Sequence, residues 1–182
     1  AGTTRFNGGT VTSSTTMNLQ GGTVEGTGTL TASVNNSGGT VGPGITAGQL
    51  NQTGNYTQGS GSAFNAQIGG LTVGTQYDRL ALSGAATLGG ALNISLINSY
   101  EPNLDDTFQI MTFGSRTGDS TTVTGTTIGN GKFFQETIGP TSVTLVVVSV
   151  LPTSTPTATI TPTPTVTATL TPTATVTPTS TA

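Results

Sequence analysis

The chain reads as short stretches in which apolar and polar residues alternate, punctuated by glycine. Leu80 and Leu82 alternate with small or polar neighbours, as do Leu92, Ile94 and Leu96 across Asn93 and Ser95. Phe108, Ile110 and Thr112 continue the pattern after the turn at Asp105-Asp106. A period of two sends one side of an extended segment into a core and the other into water, so these runs predict half-buried strands. Val143 to Val150 is the most apolar run, and its unbroken Leu145 to Val148 predicts a last strand buried on both faces. No Leu, Glu or Ala series recurs at helical spacing, so helices are not expected.

Glycine sets the rhythm between these stretches. Gly-Gly-Thr-Val occurs at 8–11, 21–24 and 38–41, and further Gly-Gly pairs stand at Gly69-Gly70 and Gly89-Gly90. An irregular repeat of this kind predicts a solenoid, in which each coil buries its apolar face only by stacking on the next. Only 6% of residues are charged, against roughly 25% in ordinary soluble domains, while Gly and the β-branched residues dominate. The expectation is an all-β fold: a parallel β-helix (β-solenoid) over residues 1–151, with an extended Thr/Pro tail over 152–182. A β-sandwich with an appended donor strand is the rival architecture.

The tail has its own pattern. Every odd-numbered residue from Thr153 to Thr179 is Thr, whereas the even positions carry Ala, Ile, Val, Leu, Pro and one Ser. In an extended chain this gives a hydroxyl stripe on one side and an apolar stripe on the other. Proline at 156, 162, 164, 172 and 178 excludes helix and a central sheet position, leaving polyproline II or an edge strand. Thr/Pro stalks are commonly flexible or O-glycosylated spacers, which makes Thr157, Thr159, Thr161, Thr163 and Thr165 candidate glycan carriers. A solvated spacer has no need of Ile160, Val166, Leu170 and Val176, and these are the candidate self-contact residues.

Gly54-Asn55-Tyr56-Thr57-Gln58, Tyr77-Asp78-Arg79-Leu80, Gly84 to Leu92 and Pro102 to Phe113 follow one another in order, with Gly44 to Leu50 as lead-in. As an ordered set over residues 44–114 they resemble bacterial autotransporter-like passenger and adhesin repeats. The resemblance implies a parallel β-helix on a cell surface with no enzymatic activity. The chain departs from autotransporters after residue 114, where no series of alternating membrane strands stands. A Thr/Pro tail takes that place, which favours an independent secreted subunit. The first residue, Ala1, is not Met, as in a processed product.

Candidate chemistry is sparse. The chain has no His and no Cys, which excludes Ser-His-Asp and Cys-His catalysis, histidine or thiolate metal sites, and disulfides. A net charge of −3 with four scattered basic residues offers no footprint for nucleic acid, and no stretch of 18 apolar residues exists to span a bilayer. Carboxylate pairs acting on sugars are a minor expectation. Asp105, Asp106 and Asp119, with Glu101, would supply oxygen ligands to calcium, although a solvated acidic loop is the simpler reading. Asp78 and Arg79 are adjacent, so they point to opposite faces, one of them capping a turn or joining coils. Tyr56, Tyr77 and Tyr100 either line a carbohydrate platform or, as is commoner, stack in the core. Sequons stand at Asn35, Asn51, Asn55 and Asn93. Together these features predict a non-catalytic subunit of an extracellular surface fibre of bacterial type, without cofactors, that assembles head-to-tail with itself and carries glycans. The alternative is an adhesin or carbohydrate-binding module on a glycosylated stalk.

Overall fold

The structure is a computed structural model and describes residues 2–150, which form seventeen strands and no helix. In chain order the first nine are β1 (Thr3–Thr12), β2 (Met17–Leu19), β3 (Thr23–Thr31), β4 (Val34–Asn36), β5 (Thr40–Pro43), β6 (Gln49–Thr53), β7 (Tyr56–Gln58), β8 (Ala63–Ile68) and β9 (Arg79–Leu82). The others are β10 (Ala85–Thr87), β11 (Ala91–Leu96), β12 (Thr107–Thr112), β13 (Ser115–Thr117), β14 (Thr122–Thr124), β15 (Thr127–Gly129), β16 (Lys132–Ile138) and β17 (Ser142–Val148). The chain is therefore all-β, as its composition requires.

Parallel pairing organises the strands into three columns. β2, β4, β7, β10 and β13 form one sheet. In the other, β1 runs along the whole of β3, whose first half pairs with β5 and whose second half pairs with β6. From there β8, β11 and β14 continue the first column, while β9 and β12 continue the second. The Gly-Gly-Thr-Val segments at 21–24 and 38–41 lie side by side, because Thr23 pairs with Thr40 and Val24 with Val41. The series runs on through Ala63 and Phe64 to Ala91 and Leu92, so Gly89-Gly90 belongs to the same repeat. The segment at 8–11 does not: Thr10 and Val11 pair with Thr29 and Leu30 in the second column.

Alternation sorts the two faces as expected. Val24, Val41, Phe64 and Leu92 are buried one above another, as are Val34, Tyr56 and Ala86 in the third column. Burying one such Val, Leu or Phe side chain contributes about 1.5–3 kcal/mol, which is what binds each coil to its neighbours. Glycine is obligatory where a coil turns closely over the previous one. Gly26 sits at φ 106°, and a Cβ there would run into the Phe6 carbonyl.

The all-β expectation holds, and the sheet is mixed where a parallel β-helix was expected. After β14 the chain reverses: β15 pairs with β16, β16 with β17 and β17 with β12, all antiparallel. Asn130 and Gly131, at φ 53° and 72°, supply the tight left-handed turn between β15 and β16. The last strand is not buried on both faces either. Val143, Leu145 and Val147 are buried, but Val146 and Val148 are only half-buried. Thr112 also departs from the expected parity. A bulge between Gln109 and Met111 shifts the register, so Met111 and Phe113 turn inward and Thr112 outward.

Candidate functional site

Three connections share one corner, where the first column hands over to the second. Residues 44–48 join β5 to β6, 69–78 join β8 to β9, and 97–106 join β11 to β12. Together they carry most of the unusual chemistry of the described residues.

Asp78 ties this corner together. Its carboxylate accepts the Gly48 N–H at 2.8 Å and the Gln67 N–H at 2.9 Å, so one side chain fastens two coils. Only 1% of the residue is exposed, and burial pushes its carboxyl up to about 7 despite both N–H donors. Arg79 points away, as alternation requires, donating to the Gln109 carbonyl and the Tyr77 hydroxyl. The Gln67 Oε1 is buried with no partner.

The tyrosines do not form a carbohydrate platform. Tyr56 and Tyr77 are buried, and Tyr77, Tyr100 and Phe134 each meet Phe108 edge-to-face at centroid distances of 5.5, 6.4 and 5.9 Å. Burial raises the Tyr56 hydroxyl above its ordinary range; it donates to Gln58 Oε1 at 3.1 Å.

The acidic residues are placed as turn and end fastenings. Asp106 Oδ2 accepts the Asn103 N–H at 2.7 Å and the Tyr100 hydroxyl at 3.2 Å. Burial, then the Asp106 charge and its hydrogen bond, raise the Tyr100 hydroxyl. Asp105 occupies the left-handed region at φ 69°, the geometry of a turn residue. Asp119 pairs with Arg116. The suggested calcium set of Glu101, Asp105, Asp106 and Asp119 does not converge: among the described residues, no three His, Cys, Asp or Glu side chains gather as metal ligands.

The end of the stack near β13 and β16 holds a pocket lined by Phe64, Leu88, Leu92, Met111, Ser120 and Glu136. Glu136 accepts the Ser120 hydroxyl at 2.9 Å; burial raises its carboxyl, Ser120 opposes this and Asp119 adds to it. Arg116 occupies the interior position that Ala86 and Tyr56 hold in earlier coils, and donates to the Gly139, Gly118 and Ile138 carbonyls. No sequence signal marked this seal, because the reversal of the chain that brings residues 138–139 to Arg116 is not a local property.

The outer face carries ladders of Asn and Thr. Asn35 donates to Asn18 at 3.3 Å, Asn93 to Asn65 at 2.9 Å, and Thr124 to Asn93 at 2.9 Å. Of the sequons, Asn35, Asn51 and Asn55 are exposed, whereas Asn93 is half-buried within a ladder. The self-contact residues Ile160, Val166, Leu170 and Val176, and the glycan candidates Thr157 to Thr165, lie outside the described residues. No helix is long and apolar enough to cross a membrane among the described residues. No protein-family model matches the chain, and no curated protein matches it either.

Proposed function

We propose that the chain is a non-catalytic structural subunit of an extracellular filament or surface fibre. Its residues 2–150 are coiled as a parallel β-helix closed at one end by antiparallel strands, and its Thr/Pro tail contacts a neighbouring copy. The observation that carries this reading is the stack of parallel pairings in three columns. Such a stack extends by about 4.8 Å per coil and holds its length through backbone ladders and a continuous core, which suits a spacer. The carboxylates support the non-catalytic part. Asp78, Asp106, Asp119 and Glu136 are each engaged in bonds that fasten the fold. A few charges and an outer face of Thr and Asn suit a surface that is glycosylated and exposed outside the cell. A contact between unlike surfaces of identical copies does not close on itself, and so gives a fibre.

The adhesin reading loses its aromatic platform with the burial of Tyr56 and Tyr77, and no other observation favours it. The test is negative-stain microscopy and sedimentation of the full chain over a range of concentrations. Fibres that lengthen with concentration are expected, and Ile160→Ser, Val166→Ser, Leu170→Ser and Val176→Ser combined should shorten them. Particles of one size at every concentration would sink the proposal.

A further inference from the structure

Among the described residues, five strands are paired on one side only. Of these, β2, β13, β14 and β15 are three residues long, whereas β1 runs for ten, Thr3–Thr12, and pairs only with β3. Its other edge is a row of N–H and C=O groups without backbone partners among the described residues. Nothing blunts this edge. β1 has no proline, and its single charge, Arg5, is paired with Glu25.

The glycines of β1 are shaped for a neighbour on that edge. In later coils Gly22, Gly26, Gly90 and Gly118, at φ 80°, 106°, 59° and 71°, lie close against the preceding coil, and a Cβ would run into the carbonyls of Gly2, Phe6, Ser62 and Leu88. Gly8 and Gly9 hold the same left-handed backbone inside a strand, at φ 78° and 72°, yet a Cβ on either meets nothing. The space that a preceding strand fills at the later glycines is open beside β1. The pair also forms a bulge: Asn7 pairs with Thr27 and Thr10 with Thr29, so two glycines face Gly28 alone. The extra residue reverses parity at the middle of the strand. Inward positions are Thr4 and Phe6 before it, beside the buried Val24 and Gly26, and Val11 after it, beside the buried Leu30.

Length, register and charge name the strand that fits. In the Thr/Pro tail, proline at 152, 156, 162, 164, 172 and 178 leaves no stretch longer than 165–171 that can donate from every position. The other free edges are three residues long, so only another β1 matches β1. Laid antiparallel with the two bulges opposed, Gly8 faces Gly9 and Phe6 faces Val11, inward against inward. Arg5 then faces Thr12 and Asn7 faces Thr10, outward against outward. Because parity reverses at the midpoint, this register keeps both halves in step and covers Val11, which is 48% exposed. The two Arg5 side chains stand about 23 Å apart along the strands, well beyond a screening length of about 8–10 Å. With its link and β2, β1 offers residues 3–19, close to the roughly 20 residues a side of a standard interface. We propose that the free edge of β1 receives β1 of a second copy, antiparallel, about a two-fold axis at Gly8-Gly9. A contact between like surfaces closes at two copies, so this junction goes beyond the fibre reading and does not rest on it.

The absence of native cysteine makes the register testable. Full-length Asn7→Cys and Thr10→Cys are mixed under mild oxidation, and as directly opposite positions they should link with good disulfide geometry. Their yield should be several-fold higher than that of Thr3→Cys with Thr10→Cys, which stand about 13 Å apart along the strands. Light scattering of the unmodified chain, at concentrations below those that give fibres, should show dimers. Val11→Lys, an inward charge at the edge, should raise their dissociation constant by about tenfold or more with an unchanged circular dichroism spectrum. Equal yields from the two cysteine pairs, or a monomer mass at every concentration, overturn the proposal. A higher yield from Thr10→Cys with Thr117→Cys on β13 also overturns it, by setting the opposite end of the stack against β1. Dimers without fibres at any concentration sink the fibre reading and leave this junction standing.

Discussion

Asp78 holds a carboxyl whose ordinary value of 3.8 is pushed to about 7 by burial, while two backbone N–H groups pull in the opposite direction. The folded state therefore keeps its proton at pH values where the unfolded chain has lost it. The contribution to stability is fully present below about pH 4 and declines as pH rises through about 7. Glu136 is raised as well and adds a slope of the same sign. Urea midpoints are expected to fall between about pH 4.5 and 8 in the native sequence and to fall less in Asp78→Asn. Parallel curves for the two proteins would assign the slope elsewhere. Asp78→Asn also removes one of two acceptors, leaving the Gly48 or Gln67 N–H unpaired at a cost of about 1–3 kcal/mol. Gly26→Ala should be worse tolerated than alanine at an exposed glycine such as Gly2, because its Cβ meets the Phe6 carbonyl whereas Gly2 has open space around it. Thermal unfolding of the two variants side by side checks this.

Among the elements, the antiparallel strands β15 to β17 differ from the rest and make a separable prediction. Phe134 on β16 is buried against Phe108, and Phe134→Ala should cost about 3–5 kcal/mol. Hydrogen exchange should show β16 and β17 losing protection before β5 and β8 in that variant; uniform loss would make the fold one cooperative unit. Arg116→Ala should loosen the same end by about 1–3 kcal/mol through the Gly139, Gly118 and Ile138 carbonyls it leaves unpaired. These strands also mark where the sequence stops being readable. Alternation at Leu80, Leu82, Leu92 and Ile94 reports a buried face, and all four residues are buried. Alternation says nothing of strand direction, so the reversal after β14 is marked only by the hairpin signal Asn130-Gly131. The bulge at Gln109–Met111 inverted the parity of Thr112 for a related reason: an inserted residue is invisible to a rule that counts by two. In Leu145–Val148 the unbroken apolar composition concealed an alternating burial, because the outward Val146 and Val148 are covered only in part. Of the site residues, Asp78 was legible as a fastening from its opposition to Arg79, whereas the Arg116 seal depends on the return of residues 138–139 and has no linear signature.

For the whole molecule, salt offers a further check on the proposed contact. An assembly held by apolar and uncharged hydrogen-bonded contacts should form equally well in about 0.05 and about 0.5 M sodium chloride, because screening acts on charged pairs and only 6% of the residues are charged. Sedimentation at the two concentrations measures this, and dissolution of the fibres in salt would point instead to Arg5 and Glu25, the ion pair between β1 and β3. The stacking has another consequence, for a chain held under tension. Successive partners in the third column are Met17, Val34, Tyr56, Ala86 and Arg116, so the chain between them lengthens from 17 residues to 22 and then holds at 30. A pull applied through the C-terminal end would load β17 and its antiparallel partners first, and the longest parallel segments next. Peeling them one at a time would release contour in steps of about 100 Å, shrinking to about 60 Å at the earliest coils. The length gained at each rupture therefore falls as unravelling moves toward the earliest strands.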